Sequence, residues 1–172
     1  MQRLFGFLLV FVGCSGLGIW YSMQFQLHIH NLKEMCYILK LYAGQVRYGR
    51  NTLPICCLHI AHKVDAPFQS CFLEIYEKTQ ENEGMEFGQV CRECFDRSLK
   101  RLVINPKEKE GFINCFIKTG FDEEKILLQN IEQELLELQD SLNILTGTIT
   151  YRCRMAISLG TMGGLLLGIL FL

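Results

Sequence analysis

Cys91-x-x-Cys94 has the spacing of a metal or redox pair, and His59-x-x-His62 would complete a tetrahedral zinc set with it. Helical periodicity places both cysteines on the same side as Phe87, Val90 and Phe95, where a thiol acts as a small core hydrophobe. A thioredoxin-type pair also needs a strand and turn before it, and none is readable here. Zinc or thiol redox chemistry at Cys91 and Cys94 is therefore the alternative to core packing. Cys56-Cys57 adjoins neither a base nor a basic cluster, so nothing there activates a nucleophile. Lys107, Glu108, Lys109 and Glu110 form the solvated first turn of a helix. No phosphate-binding glycine loop, carboxylate pair with a plausible cleft or Ser/His/Asp arrangement can be identified, so the sequence gives no catalytic residues, cofactor or small-molecule substrate.

The elements that position these residues read as helices throughout. A first helix over about Leu27 to Val46 places Leu32, Met35, Cys36, Leu39 and Val46 or Tyr42 on one side, with Gly49 as its stop. Thr52 caps a second, which carries Pro54 in its first turn and runs to about Val64. A third begins near Pro67 and buries Phe68, Cys71, Phe72 and Ile75 before the polar run Gln80–Gly84. A fourth carries Phe87, Val90, Cys91, Cys94, Phe95, Leu99 and Leu102. Asn105-Pro106 opens a fifth with Phe112, Ile113, Phe116 and Ile117; Gly120 closes it, and Asp122 caps the last. That last helix has a heptad seam, Leu128, Ile131, Leu135, Leu138, Leu142, Leu145 and Ile149, opposite Glu132, Gln133, Glu137 and Gln139. Gly147 and the threonines beside it weaken it locally, favouring a bend.

The two ends differ from this middle. Leu4–Tyr21 and Met155–Leu172 are uncharged and apolar, and at about 1.5 Å per residue each is long enough to cross most of a bilayer core of roughly 30 Å. Trp20 and Tyr21 suit the interface. In the second segment Ala156, Gly160, Gly164 and Gly168 recur every four residues, a spacing that lets a second helix approach closely in lipid. The expected architecture is an all-α helical bundle of about six helices at residues 26–154, flanked by an N-terminal transmembrane anchor at 1–25 and a C-terminal transmembrane helix at 155–172. Arg152 and Arg154 beside the second span place the middle domain in the cytoplasm. An alternative is an exported lipoprotein anchored at Cys14, since Phe11-Val12-Gly13-Cys14 approximates a lipoprotein cleavage site.

A net charge of -1 supplies no cationic field for nucleic acid. Nine cysteines cannot all pair within one chain, and their scatter through apolar stretches fits a reducing compartment.

The arrangement resembles the stage III sporulation protein AB family of spore-forming Firmicutes. The resemblance is carried by Gly18-Ile19-Trp20-Tyr21-Ser22, Tyr48-Gly49 followed by Leu53-Pro54, Phe116 through Gly120 and Asp122 before a Gln/Glu/Leu-rich helix, and Leu159-Gly160 with Gly164-Leu165. It implies a middle domain similar to the cytoplasmic domain of the type II secretion system F platform protein. It further implies a non-catalytic platform subunit of a secretion-like channel between mother cell and forespore, in the membrane on the mother-cell side (the outer forespore membrane). Its partners would be membrane lipid, other channel subunits including an ATPase-like one, and other copies of itself. Tyr48, Gly49, Leu53, Pro54, Gly120 and Asp122 would then act by shaping helix junctions.

Overall fold

All three prolines stand at helix starts, where a missing N–H costs nothing: Pro54 in the first turn of one helix, Pro67 just before another, and Pro106 as the first residue of a third. The computed structural model describes residues 2–48, 52–81, 86–117 and 124–170, with side chains described chiefly between Met23 and Gly147. Six α-helices follow in order: α1 Gln2–Tyr48, α2 Leu53–Ala61, α3 Phe68–Glu81, α4 Phe87–Ser98, α5 Pro106–Ile117 and α6 Glu124–Leu170. A 3-10 turn, Leu99–Arg101, follows α4, and there is no strand among the described residues. Two units divide the chain: His30–Ser141, and Met1–Ile29 together with Leu142–Leu172.

Helix boundaries depart from the sequence reading at three places. No proline or polar turn separates Tyr21 from Leu27, so the apolar segment and the first amphipathic helix are one helix, α1. α2 stops at Ala61 instead of Val64, because the residues leading into Pro67 are biased away from helical backbone; His62 N–H and Lys63 N–H close its last turn on Leu58 O and Ile60 O at 3.2 and 2.9 Å. The fourth helix tightens after Ser98, and Leu102 N–H bonds Leu99 O at 3.2 Å. Thr52 holds the capping position of α2, but its side chain makes no cap bond; its carbonyl accepts from Cys56 N–H at 3.1 Å instead.

α5 opens on a reciprocal cap. Asn105 Oδ1 accepts from Lys107 N–H at 3.1 Å, while Asn105 N–H donates to Glu108 Oε2 at 3.1 Å. Near its other end, a Cβ at buried Gly88 of α4 would come within 3.2 Å of Ile117 Cγ2 and Ile117 O, so glycine sets the close approach of α4 to α5.

The core of His30–Ser141 is aromatic. Tyr42, Phe68, Phe72, Phe95, Phe112 and Phe116 are all under 2 % exposed. Phe116 packs against Tyr42, Phe72, Phe95 and Phe112 with centroids 4.5 to 5.5 Å apart. Such ring pairs add about 0.5–1.5 kcal/mol each beyond the area they bury. Leu32, Met35, Ile38 and Leu39 complete the core from α1, and Leu127, Ile131 and Leu138 from α6. The heptad seam is thus only partly buried: Leu127 takes the place expected of Leu128, and Leu135, Leu142 and Leu145 are half-buried.

Among the described residues no helix is long and apolar enough to cross a membrane. The side chains of Leu4–Tyr21, and those of Met155–Leu172 apart from Ser158 and Met162, lie outside that description.

Candidate functional site

The thiols converge in one part of the bundle. α2 supplies Cys57, α3 Cys71, and α4 Cys91 and Cys94, each at most 1 % exposed. They are close enough to feel one another electrostatically: Cys91 with Cys57, Cys71 and Cys94, and Cys71 with Cys94. Burial, the largest cause, pushes Cys71 up from its ordinary 9.0 to about 12, against a hydrogen bond with Ser98 that pulls it down. Burial likewise raises Cys57 and Cys91, with neighbouring thiols adding to the effect, and it raises Cys36, Cys56 and Cys94. A protonated thiol is neither a good nucleophile nor a ready metal ligand, so at neutral pH this cluster packs as hydrophobe.

The zinc candidates separate on burial. Cys91 and Cys94 are in the core, whereas His59 on α2 and His62 just beyond its end are exposed. Among the described residues no three His, Cys, Asp or Glu side chains are placed to hold a metal ion. The seven described cysteines, Cys36, Cys56, Cys57, Cys71, Cys91, Cys94 and Cys115, are all buried thiols outside any disulfide.

Of the helix-junction residues, Tyr48 is the last residue of α1 and 83 % exposed, and Leu53 and Pro54 form the half-buried first turn of α2. Gly49, Gly120 and Asp122 lie outside the described residues, as do Cys14 and the side-chain surroundings of Ala156, Gly160, Gly164 and Gly168.

Two further features went unread in the sequence. Asn31, on the inner face of α1 and 3 % exposed, donates through Nδ2 to Val103 O at 3.3 Å and so fixes α1 against the segment before α5. The second is a polar cleft of about 220 Å³ between α5 and α6, lined by Gly111, Asn114, Cys115, Leu127, Asn130, Gln133 and Glu134. Its one sequence signal was Gly111 in the interior of a helix, a position glycine disfavours unless something needs the space.

Surface ion pairs tie the bundle together. Lys109 bonds Asp96 at 2.7 Å and Arg92 pairs with Glu110, joining α4 to α5; Arg97 reaches Glu74 on α3 at 2.9 Å, and Arg47 reaches Glu132 on α6 at 3.0 Å.

Among the described residues, helices packed on an aromatic core with protonated buried thiols define an all-helical packing domain, to which α1 and α6 both contribute core side chains. The chain belongs to the stage III sporulation protein AB family, whose family model matches residues 3–172. No curated protein and no solved structure matches it.

Proposed function

We propose that this chain is a non-catalytic membrane platform subunit of a sporulation-specific, secretion-like channel between mother cell and forespore. Its bundle docks other channel subunits, an ATPase-like one among them, and its two apolar ends hold it in the membrane on the mother-cell side with the bundle in the cytoplasm. Family membership supports the sporulation setting.

The observation that carries the platform reading is the continuity of two helices. α1 and α6 each contribute residues to His30–Ser141, and each also contains an uncharged apolar segment, Leu4–Tyr21 in α1 and the run from Met155 in α6. Continuous helices join the bundle to the apolar segments with no break in the secondary structure, which suits a platform subunit. Met162, in the middle of the second apolar segment, is 71 % exposed, as a lipid-facing side chain would be.

The test is recovery of the full chain from sporulating cells in mild detergent. Co-purification of an ATPase-like subunit is the expected result, and its absence from crosslinked samples would overturn the docking role. Orientation needs an introduced thiol, because the described native cysteines are buried. Gln129→Cys, at an exposed position of α6, should stay protected from a membrane-impermeant maleimide in intact cells.

A further inference from the structure

We infer that the α5–α6 cleft is a binding site for a guanidinium group, the side chain of an arginine presented by a partner polypeptide. At about 220 Å³ the cleft falls below the roughly 300–1,000 Å³ of pockets that take whole small molecules, and it suits the end of one side chain.

The lining selects for positive charge. It holds one carboxylate, Glu134, and three carboxamides, Asn114, Asn130 and Gln133, with no lysine or arginine among the lining residues. Glu134 is half-buried, and its carboxyl is held above the ordinary carboxylate range first by burial and then by Glu137. Lys107 acts in the opposite direction, but its ammonium is engaged by Glu137 at 3.2 Å. An arriving cation would relieve this situation; an anion would worsen it.

Geometry favours a guanidinium over an ammonium or a metal ion. A guanidinium offers two parallel N–H groups to one carboxylate and keeps three more for carboxamide oxygens, a planar fork that an ammonium cannot match. A hard divalent ion needs six or more oxygens and usually more than one carboxylate. Gly111 supports the same conclusion, since a Cβ at that position would run into the Glu134 carboxylate. Glycine is the least favourable residue after proline in a helix interior, and here it leaves the room that seats the carboxylate against α5.

The inference rests on the platform reading only for the origin of the arginine in another subunit. The test uses the full chain in detergent with N-acetylargininamide as the probe, following the side-chain amide NMR signals of Asn114, Asn130 and Gln133. Saturable shifts are expected, with the neutral citrulline analogue giving none and the lysine analogue binding more weakly. Glu134→Gln should weaken binding about tenfold or more, as loss of a charge-assisted bidentate contact does. Gly111→Ala, which displaces the carboxylate and favours the helix, should weaken it as well. An absence of shifts, an equal response to the lysine analogue, or unchanged affinity in both variants would overturn the site. Because the probe needs no other subunit, that failure is distinct from a failed co-purification.

Discussion

Tyr42 of α1 stacks on Phe116 of α5, with ring centroids 4.5 Å apart and planes 24° from parallel. The contact joins residues 74 positions apart, 116 minus 42, and locks the first helix onto the middle of the bundle. Phe116 also meets Phe72, Phe95 and Phe112, so it is the ring on which α1, α3, α4 and α5 converge.

Phe116→Ala should therefore cost about 3–5 kcal/mol, the range for emptying a buried aromatic site. Thermal unfolding of the full chain, followed by circular dichroism in mild detergent, measures it. Tyr48→Ala serves as the contrast: that ring is 83 % exposed, and its loss should stay within about 0.5 kcal/mol. Equal effects of the two would mean that the aromatic cluster does not hold the bundle.

The buried thiols make stability fall in alkali. Cys71 keeps its proton in the folded state up to about 12, whereas an unfolded chain loses it near its ordinary 9.0. Between those values the unfolded state binds fewer protons, so stability declines as pH rises through the window and is complete below it. Urea midpoints at pH 8 and pH 10.5 should show the drop. Cys71→Ala should lessen the drop, because one of the groups responsible has gone; an unchanged pH slope in that variant would remove Cys71 from the account.

Asn105 and Glu108 form the start of α5 with two bonds of 3.1 Å. Asn105→Ala removes the side-chain acceptor for Lys107 N–H and should cost about 1 kcal/mol. By contrast Arg47→Ala breaks an ion pair whose side chains are 50 % and 60 % exposed, and should change stability by less than about 1 kcal/mol. Chemical denaturation of both variants would show whether local capping outweighs this exposed long-range pair.

The parts of the fold that could be read in advance are those with local causes. Asn105-Pro106 marks a helix start within four residues, and α5 begins at Pro106. Phe68, Cys71, Phe72 and Ile75 repeat at helical spacing and are all buried in α3. What escaped the sequence depends on how helices meet. The inner face of α1 includes Asn31 and Ile38 as well as the expected stripe, because α1 is covered over a wider arc than a heptad pattern anticipates. Leu127 displaces Leu128 from the core of α6 for a related reason: a straight helix repeats every 3.6 residues, whereas a heptad seam repeats every 3.5. Gly111 alone does not reveal the α5–α6 cleft, because Gly111 and Glu134, 23 positions apart (134 minus 111), become neighbours only when the two helices pack.

The glycines of the second apolar segment give the sharpest test of the membrane part of the proposal. Gly160 and Gly164 stand four apart, with Ala156 before and Gly168 after, a spacing that puts small residues along one face of a helix. In lipid the attraction between helices comes from close packing, so a bulky side chain on that face acts against association and has little else to disturb. Gly164→Leu should lower recovery of the assembled complex several-fold in mild detergent. Thermal unfolding of the bundle should stay unchanged, since position 164 lies outside His30–Ser141. Met162→Phe, which adds bulk at an exposed apolar side chain of the same segment, is the control and should leave recovery intact. If Gly164→Leu and Met162→Phe recover the complex equally, the small-residue face takes no part in assembly. If Gly164→Leu instead shifts the unfolding of the bundle, the segment is supporting the bundle's fold directly, and its role as a lipid anchor is lost.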